Sequence, residues 1–290
     1  MGQSLQNLVD IHNLEELDKG LFRGQSVDLG FGHVFGGQVM GQALAAASRT
    51  VANDRKVHSF HSYFLLPGDE HAPIIYNVEI LRDGGSFSSR RVKAVQKGRP
   101  IFYMTCSFQS EEAGFEHQSP MPNVPAPEGL LNQQQLAQGL IGKVPEKVLQ
   151  HFLKDSPIEM RLVSPQNPLS DKPQSPIKQV WLRANGNLAE ECDLHRSLLA
   201  YASDFNFLVA SIQPHPISFL TPGLKMATID HAMWFHRPIK FDEWLLYHVE
   251  STSATGGRGF VKGQFFDIEG KLVASTTQEG LIRFPQQEQV

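Results

Sequence analysis

From Phe35 to Ala47 the chain reads Phe-Gly-Gly-Gln-Val-Met-Gly-Gln-Ala-Leu-Ala-Ala-Ala, a helix-favouring stretch that is apolar on nearly every side. A helix of this kind has no polar face for water, so it belongs inside a core. Glycines at 36, 37 and 41 allow close packing against it. Strand-like runs follow, and antiparallel strands of that length need one face covered. A sheet wrapped around a central helix satisfies both demands.

The pattern occurs twice. A helix-favouring stretch opens each half: Phe35–Arg49 and His195–Ile212. A strand with His followed by Pro comes next, His61 to Pro67 and His231 to Pro238. Then comes a Gly-rich turn into an Arg-bearing strand, Gly84-Gly85 to Arg90-Arg91-Val92 and Gly256-Gly257-Arg258 to Val261. Each half closes on Gly, a basic residue and a long strand, at Gly98-Arg99 and Gly270-Lys271. Agreement in order and spacing predicts an internal duplication of one helix and several antiparallel strands. Two helix-filled sheets in one chain make an α+β double hot dog. Ten of the 18 prolines lie between Pro120 and Pro176, so this stretch reads as a linker with one helix near Asn132–Leu153. The expected organisation is an N-terminal unit over 1–115, a linker over 116–178 and a C-terminal unit over 179–290.

Composition removes several function classes. Lys and Arg number 26 against 30 Asp and Glu, a net charge of −4 that argues against a nucleic-acid-binding protein. No apolar run is long enough to span a membrane. The acidic N-terminus does not read as a secretory signal, and residues 286–290 do not read as a peroxisomal address, so a cytoplasmic location is expected. Cys106 and Cys192 form no C-x-x-C, and Cys106, in a strand-like run, reads as a buried inert thiol. His58 and His61 fall on opposite faces of a strand and cannot share a metal. The glycines at 30, 32 and 36 miss the dinucleotide spacing, and neither a P-loop nor G-x-S-x-G occurs. No metal or cofactor is expected.

A few residues carry possible chemistry. Asp204 lies in an apolar run whose helical neighbours would be Ala200, Tyr201, Phe207 and Leu208. A carboxylate there is either hydrogen-bonded as a structural cap or shifted in pKa and suited to base catalysis. Gln278 shares a strand face with Leu272, Ala274, Thr276 and Ile282, where it either holds a water or satisfies backbone. Thr228 offers a hydroxyl for a water, as well as an ordinary strand Thr. His58 is a weaker catalytic candidate beside its reading as a structural histidine. Gly36 and Gly37, opening a helix, serve close packing, oxyanion binding by backbone N–H, or both.

The chain resembles the bacterial acyl-CoA thioesterase II family, of the thioesterase B type. The resemblance runs from about Leu5 to Arg283. Its blocks are Gly20–Gln25, Val34–Val39, His58–Phe64, Ala202–Asp204, Ala227–His231 and Ser275–Gly280. It implies a double hot dog that hydrolyses medium- to long-chain fatty acyl-CoA to fatty acid and CoA. It further implies that an Asp, a Thr and a Gln hold the attacking water, roles that fall on Asp204, Thr228 and Gln278. CoA phosphates would then meet basic residues of the Gly-rich turns: Arg90, Arg91, Arg258 and Lys262, each of which also reads as surface charge. Aligning Gly98 with Gly270 sets Cys106 opposite Gln278, and aligning His61 with His231 sets His58 opposite Thr228. The first helix offers no counterpart of Asp204, so one competent site per chain is expected. The rival readings are a hot-dog acyl-CoA hydratase or dehydratase and a non-catalytic acyl-CoA binding protein. Sheet edges predict a homo-oligomer, a dimer or tetramer.

Overall fold

The computed structural model describes residues 2–30, 32–139, 141–144, 146–164, 172–205, 207–218 and 221–284, without the side chains of 147, 148, 151, 152 and 192. Cys192's thiol and the stretch 286–290 discussed above therefore lie outside it. Helix α1 (Gln3–His12) leads into strands β1 (Glu15–Asp18) and β2 (Leu21–Gly24). Helix α2 (Gly36–Ser48) precedes β3 (Arg55–Phe64), β4 (Ile74–Asp83), β5 (Phe87–Gln96) and β6 (Arg99–Ser110). After α3 (Gln133–Gln138) and α4 (Glu146–Leu153) come β7 (Ile158–Leu162) and β8 (Ile177–Ala184). Helix α5 (Cys192–Ser203), β9 (Lys225–Thr228), β10 (Asp230–Phe235), β11 (Leu245–Thr255), β12 (Arg258–Asp267) and β13 (Leu272–Arg283) complete the order.

The strands form one antiparallel sheet in the order β1-β2-β4-β5-β6-β3-β10-β13-β12-β11-β8-β7, with β9 added along β13. The two halves have the same internal order, and they meet where β3 pairs with β10. The expected two sheets are thus joined edge to edge into one. β7, inside the stretch expected as linker, pairs with β8 and occupies the place that β1 has in the first half.

Helix α2 is buried on nearly every side, Met40 and Leu44 at 0% exposure, as its composition demands. Each such side chain stabilises the fold by about 1.5–3 kcal/mol relative to exposure. The helix lies on β3–β6 and against α5. Its glycines set that distance: a Cβ at Gly41 would come within 2.9 Å of the Ser197 carbonyl oxygen, and one at Gly37 would collide with the Tyr201 carbonyl oxygen.

Three local expectations change. The stretch His195–Ile212 is not one helix: α5 stops at Ser203, Asp204 caps it, and a 3-10 turn follows at Leu208–Ser211. The Ser203 hydroxyl sits 2.8 Å from the Ala200 carbonyl and the Phe205 amide bonds Ala202, which tightens the last turn. The linker helix splits into α3 and α4, with Gly139 closing α3 and Gly142 at a φ of +74° between them. The third change concerns the repeat. His61 is exposed and His231 is fully buried, so the two are not equivalent. Phe60 is the inward neighbour of Cys106 on β6, whereas the pairing of Ala232 with Thr277 puts His231 beside Gln278. With Cys106 and Gln278 both buried, Phe60 is the counterpart of His231, and the histidine alignment is one residue out.

Candidate active site

The end of α5, the start of α2 and strands β9 and β13 converge on Asp204. The helix stop at Ser203 matters here, because it turns the Asp204 side chain off the helix and toward the first turn of α2. A Cβ at Gly36 would stand 2.7 Å from Asp204 Oδ2, so the missing side chain is what admits the carboxylate. The Gly37 amide donates a hydrogen bond to it. Thr228 Oγ1 donates to Asp204 Oδ1 at 3.4 Å. Gln278 Nε2 donates to Thr228 Oγ1 at 2.9 Å and also supports the carboxylate. β9 makes this possible by pairing with the end of β13, Thr228 opposite Gly280.

Burial dominates the electrostatics. Desolvation lifts the pKa of Asp204 to about 6, against the pull of the Gly37 amide, Thr228 and Gln278. A carboxylate of that pKa is ionised at neutral pH yet basic enough to take a proton from a bound water. Around it lie Phe35, Tyr201 and Phe205, with ring centroids 4.5–5.4 Å apart. Phe64 stands beside Gly36.

Behind Gln278 is His231, which marks the repeat and ends the block Ala227–His231 in the sequence but is given no chemical role there. His231 Nδ1 lies 2.8 Å from Gln278 Oε1, and its Nε2 lies 3.1 Å from Ser203 Oγ. Burial holds its pKa down to about 4, so the ring is neutral. Alternation along β10 puts it on the inner face with Met233 and Phe235, and a histidine among such neighbours was the available signal.

Of the remaining candidates, Gly36 and Gly37 adjoin Asp204 and the others are engaged with partners of their own. His58 bonds Ser107 Oγ at 2.8 Å and meets the edge of Phe87, away from Asp204. Arg90, expected at a CoA phosphate, is 1% exposed. Its guanidinium is bound to Thr50 Oγ1, to the carbonyls of Thr50, Arg82 and Ser89, and to Asp83. Arg91, Arg258 and Lys262 lie on the exposed face of the sheet and pair with Glu79, Glu279 and Glu250. Gly36 and Gly37 are at the site, and the Gly37 amide serves the carboxylate. Cys106 is buried with its thiol pushed up to about 12, so it is inert. Among the described residues no three His, Cys, Asp or Glu side chains gather as a metal site, and no helix is long and apolar enough to cross a membrane.

Comparison with known proteins gives a consistent result. A family model described as acyl-CoA thioesterase matches residues 148–281, and one described as acyl-CoA thioesterase N-terminal domain matches residues 26–109. Acyl-CoA thioesterase 2 of Haemophilus influenzae is 45% identical over 284 residues, 98% of this chain and 99% of that protein. A solved acyl-CoA thioesterase II from Mycobacterium marinum is similar with a TM-score of 0.76 at 37% identity, covering 96% of this chain and 99% of that one. A protein with a hot-dog fold from Alicyclobacillus acidocaldarius, 19% identical, shares the fold with a TM-score of 0.77 over 96% of this chain and 98% of its own.

Proposed function

This chain belongs to the acyl-CoA thioesterase family, and from that premise we propose how it hydrolyses acyl-CoA: a water held by Asp204, Thr228 and Gln278 attacks the thioester directly. The observation that carries the reading is the half-buried carboxylate with a pKa of about 6, held by two polar side chains and one amide. The water oxygen adds to the carbonyl carbon while Asp204 takes its proton. Thr228 and Gln278 fix the line of attack, and positioning and base catalysis each contribute several powers of ten. The tetrahedral intermediate then expels the CoA thiolate, which recovers the proton from Asp204, leaving free acid and CoA. The first N–H of α2 is the donor for the oxyanion. The Gly36 amide makes no hydrogen bond within the described residues, and a helix start favours negative charge.

The aromatic cluster of Phe35, Phe64, Tyr201 and Phe205 beside the carboxylate suits a medium- to long-chain acyl group. A hydratase or dehydratase would need a histidine facing the carboxylate. His231 is separated from Asp204 by Gln278 and Thr228, and His58 bonds Ser107. His33, whose Nδ1 lies 3.1 Å from the Val34 carbonyl, is near enough to act on Asp204 by charge, so unsaturated against saturated acyl-CoA is the comparison that separates the two reactions. The enzyme works in the cytoplasm as a homo-oligomer, with β1, exposed along its whole length, as a sheet edge that favours association.

The test is release of free thiol, read with a thiol-reactive dye over a chain-length series of saturated and unsaturated acyl-CoA. Asp204→Asn, Thr228→Val and Gln278→Ala should each bind acyl-CoA and lose most of kcat. Turnover near the parent's in Asp204→Asn refutes the assignment.

A further inference from the structure

Gln278 has a carbonyl end and an NH2 end, and only one of them can face Asp204. An ionised carboxylate accepts hydrogen bonds and cannot donate them, so the NH2 end must point toward it and Thr228. That leaves Oε1 pointing back, where it needs a donor. Within 2.8 Å of it stands His231 Nδ1, at the bottom of the site and 0% exposed.

We infer that His231 is a positioning residue for the thioesterase reaction: its Nδ1–H holds the amide of Gln278 in the orientation that presents NH2 to Thr228, Asp204 and the attacking water. The inference rests on the water-holding role proposed for Gln278 above. A neutral imidazole carries one N–H. If that proton sat on Nε2, Nδ1 would be an acceptor, Gln278 would turn its NH2 inward, and its carbonyl oxygen would face the Asp204 carboxylate. Placing the proton on Nδ1 removes that repulsion. Nε2 then takes a share of the Ser203 hydroxyl proton, which lies between the Ala200 carbonyl at 2.8 Å and Nε2 at 3.1 Å as a three-centre hydrogen bond, and this makes a chain Ser203–His231–Gln278–Thr228–Asp204. The ring itself is fixed by stacking on Phe60, centroids 6.1 Å apart and planes 18° apart, and by Phe207 at 5.5 Å.

The duplication supports this independently. The corresponding strand pair of the first half carries Phe60 beside Cys106, where the second half carries His231 beside Gln278. The polar partner is found with the glutamine, and an apolar ring is found with the cysteine. The same comparison indicates that a Phe can occupy this place in the sheet.

The experiment is a double-mutant cycle on the full chain, read as kcat and KM by thiol release. His231→Phe should lower kcat roughly 10- to 100-fold with KM within about twofold of the parent. In a Gln278→Ala background the same substitution should cost nothing further. His231→Asn, whose NH2 can still donate to Oε1, should recover most of the loss, whereas His231→Gln, which reaches Ser203 but not Gln278, should not. If His231→Phe fails to fold, the Asn and Gln variants carry the test alone. Parental kcat in His231→Phe or His231→Gln, or an equal loss with and without Gln278, overturns the inference while leaving the site reading standing. Parental kcat in Gln278→Ala overturns the water-holding reading and the inference with it.

Discussion

Gly36→Ala and Gly37→Ala are adjacent one-carbon additions that should fail in different ways. At Gly36 the new Cβ would lie 2.7 Å from Asp204 Oδ2 and 3.1 and 3.2 Å from the Phe64 ring, where ordinary contact begins at 3.4 Å. The Phe64 ring can turn, but the carboxylate must retreat by about 0.7 Å, which displaces it relative to the Thr228 hydroxyl that donates to it over 3.4 Å. Misplacing a positioned catalytic group by about 1 Å costs on the order of 10²-fold, so kcat should fall roughly 30- to 100-fold. The fold should not suffer. Gly36 is helical without a positive φ, and alanine there reduces the freedom of the unfolded chain by a few tenths to about 1 kcal/mol. At Gly37 the new atom would strike the backbone carbonyl of Tyr201, which cannot rotate aside, so α2 and α5 must part. That variant should lose about 1–3 kcal/mol of stability, as for other overpacked cores. Thiol-release kinetics beside thermal unfolding of both proteins separate the two effects. Gly36→Ala with the parent's kcat, or losing activity only in step with its fold, refutes the reasoning.

Arg90→Met should destabilise the protein by about 1–3 kcal/mol, because it strips the donors from the carbonyls of Thr50 and Arg82, whereas Asp83 is more than half exposed and returns to water, and KM of the folded fraction should stay at the parent value. A raised KM with intact stability would return Arg90 to the ligand. Asp204→Asn should gain stability as it loses activity. The folded pKa of about 6 lies above the usual 3.8, so the cost to the fold is nil below about pH 4, builds as the unfolded chain ionises ahead of the folded one, and is complete above about pH 6. The Tm difference between variant and parent should therefore grow between pH 4 and 6, to roughly 1–3 kcal/mol in stability at pH 8, and a flat difference would contradict the burial argument. Titration with a tight, non-hydrolysable acyl-CoA analogue should give one equivalent per chain, since Phe60 and Cys106 stand where the second half has His231 and Gln278. Two equivalents would show a second competent site.

Much of this architecture was readable from residues alone. The apolar run at 35–47 demanded a buried helix, and the ordered repeat of glycines, histidines and arginines demanded two copies of one unit. Asp204 stood out because a carboxylate among Ala200, Tyr201 and Phe207 must find partners. What the sequence could not carry was register. Whether His61 or Phe60 matches His231 is decided by which residue of β3 points inward, and a one-residue slip reverses every side chain. The helix stop at Ser203 depends on local hydroxyl and amide bonds that helix propensity does not weigh. Arg90 looked like a ligand residue because charge suggests exposure. Its burial depends on partners from Thr50, Arg82 and Asp83, which come together only in the folded sheet. β7 was hidden among prolines for a similar reason: an edge strand is stabilised by its neighbour β8 more than by its own pattern.

The account rests on Asp204 acting as the base toward water. The most direct measurement is the pH dependence of kcat/KM for the parent and for Asp204→Asn. The parent should lose activity tenfold per pH unit below about pH 6, as the carboxylate takes up its proton. In Asp204→Asn that acid limb should vanish, leaving a low, pH-independent rate. A parent profile flat down to pH 4.5, or an acid limb that persists unchanged in the Asn variant, would contradict the central claim.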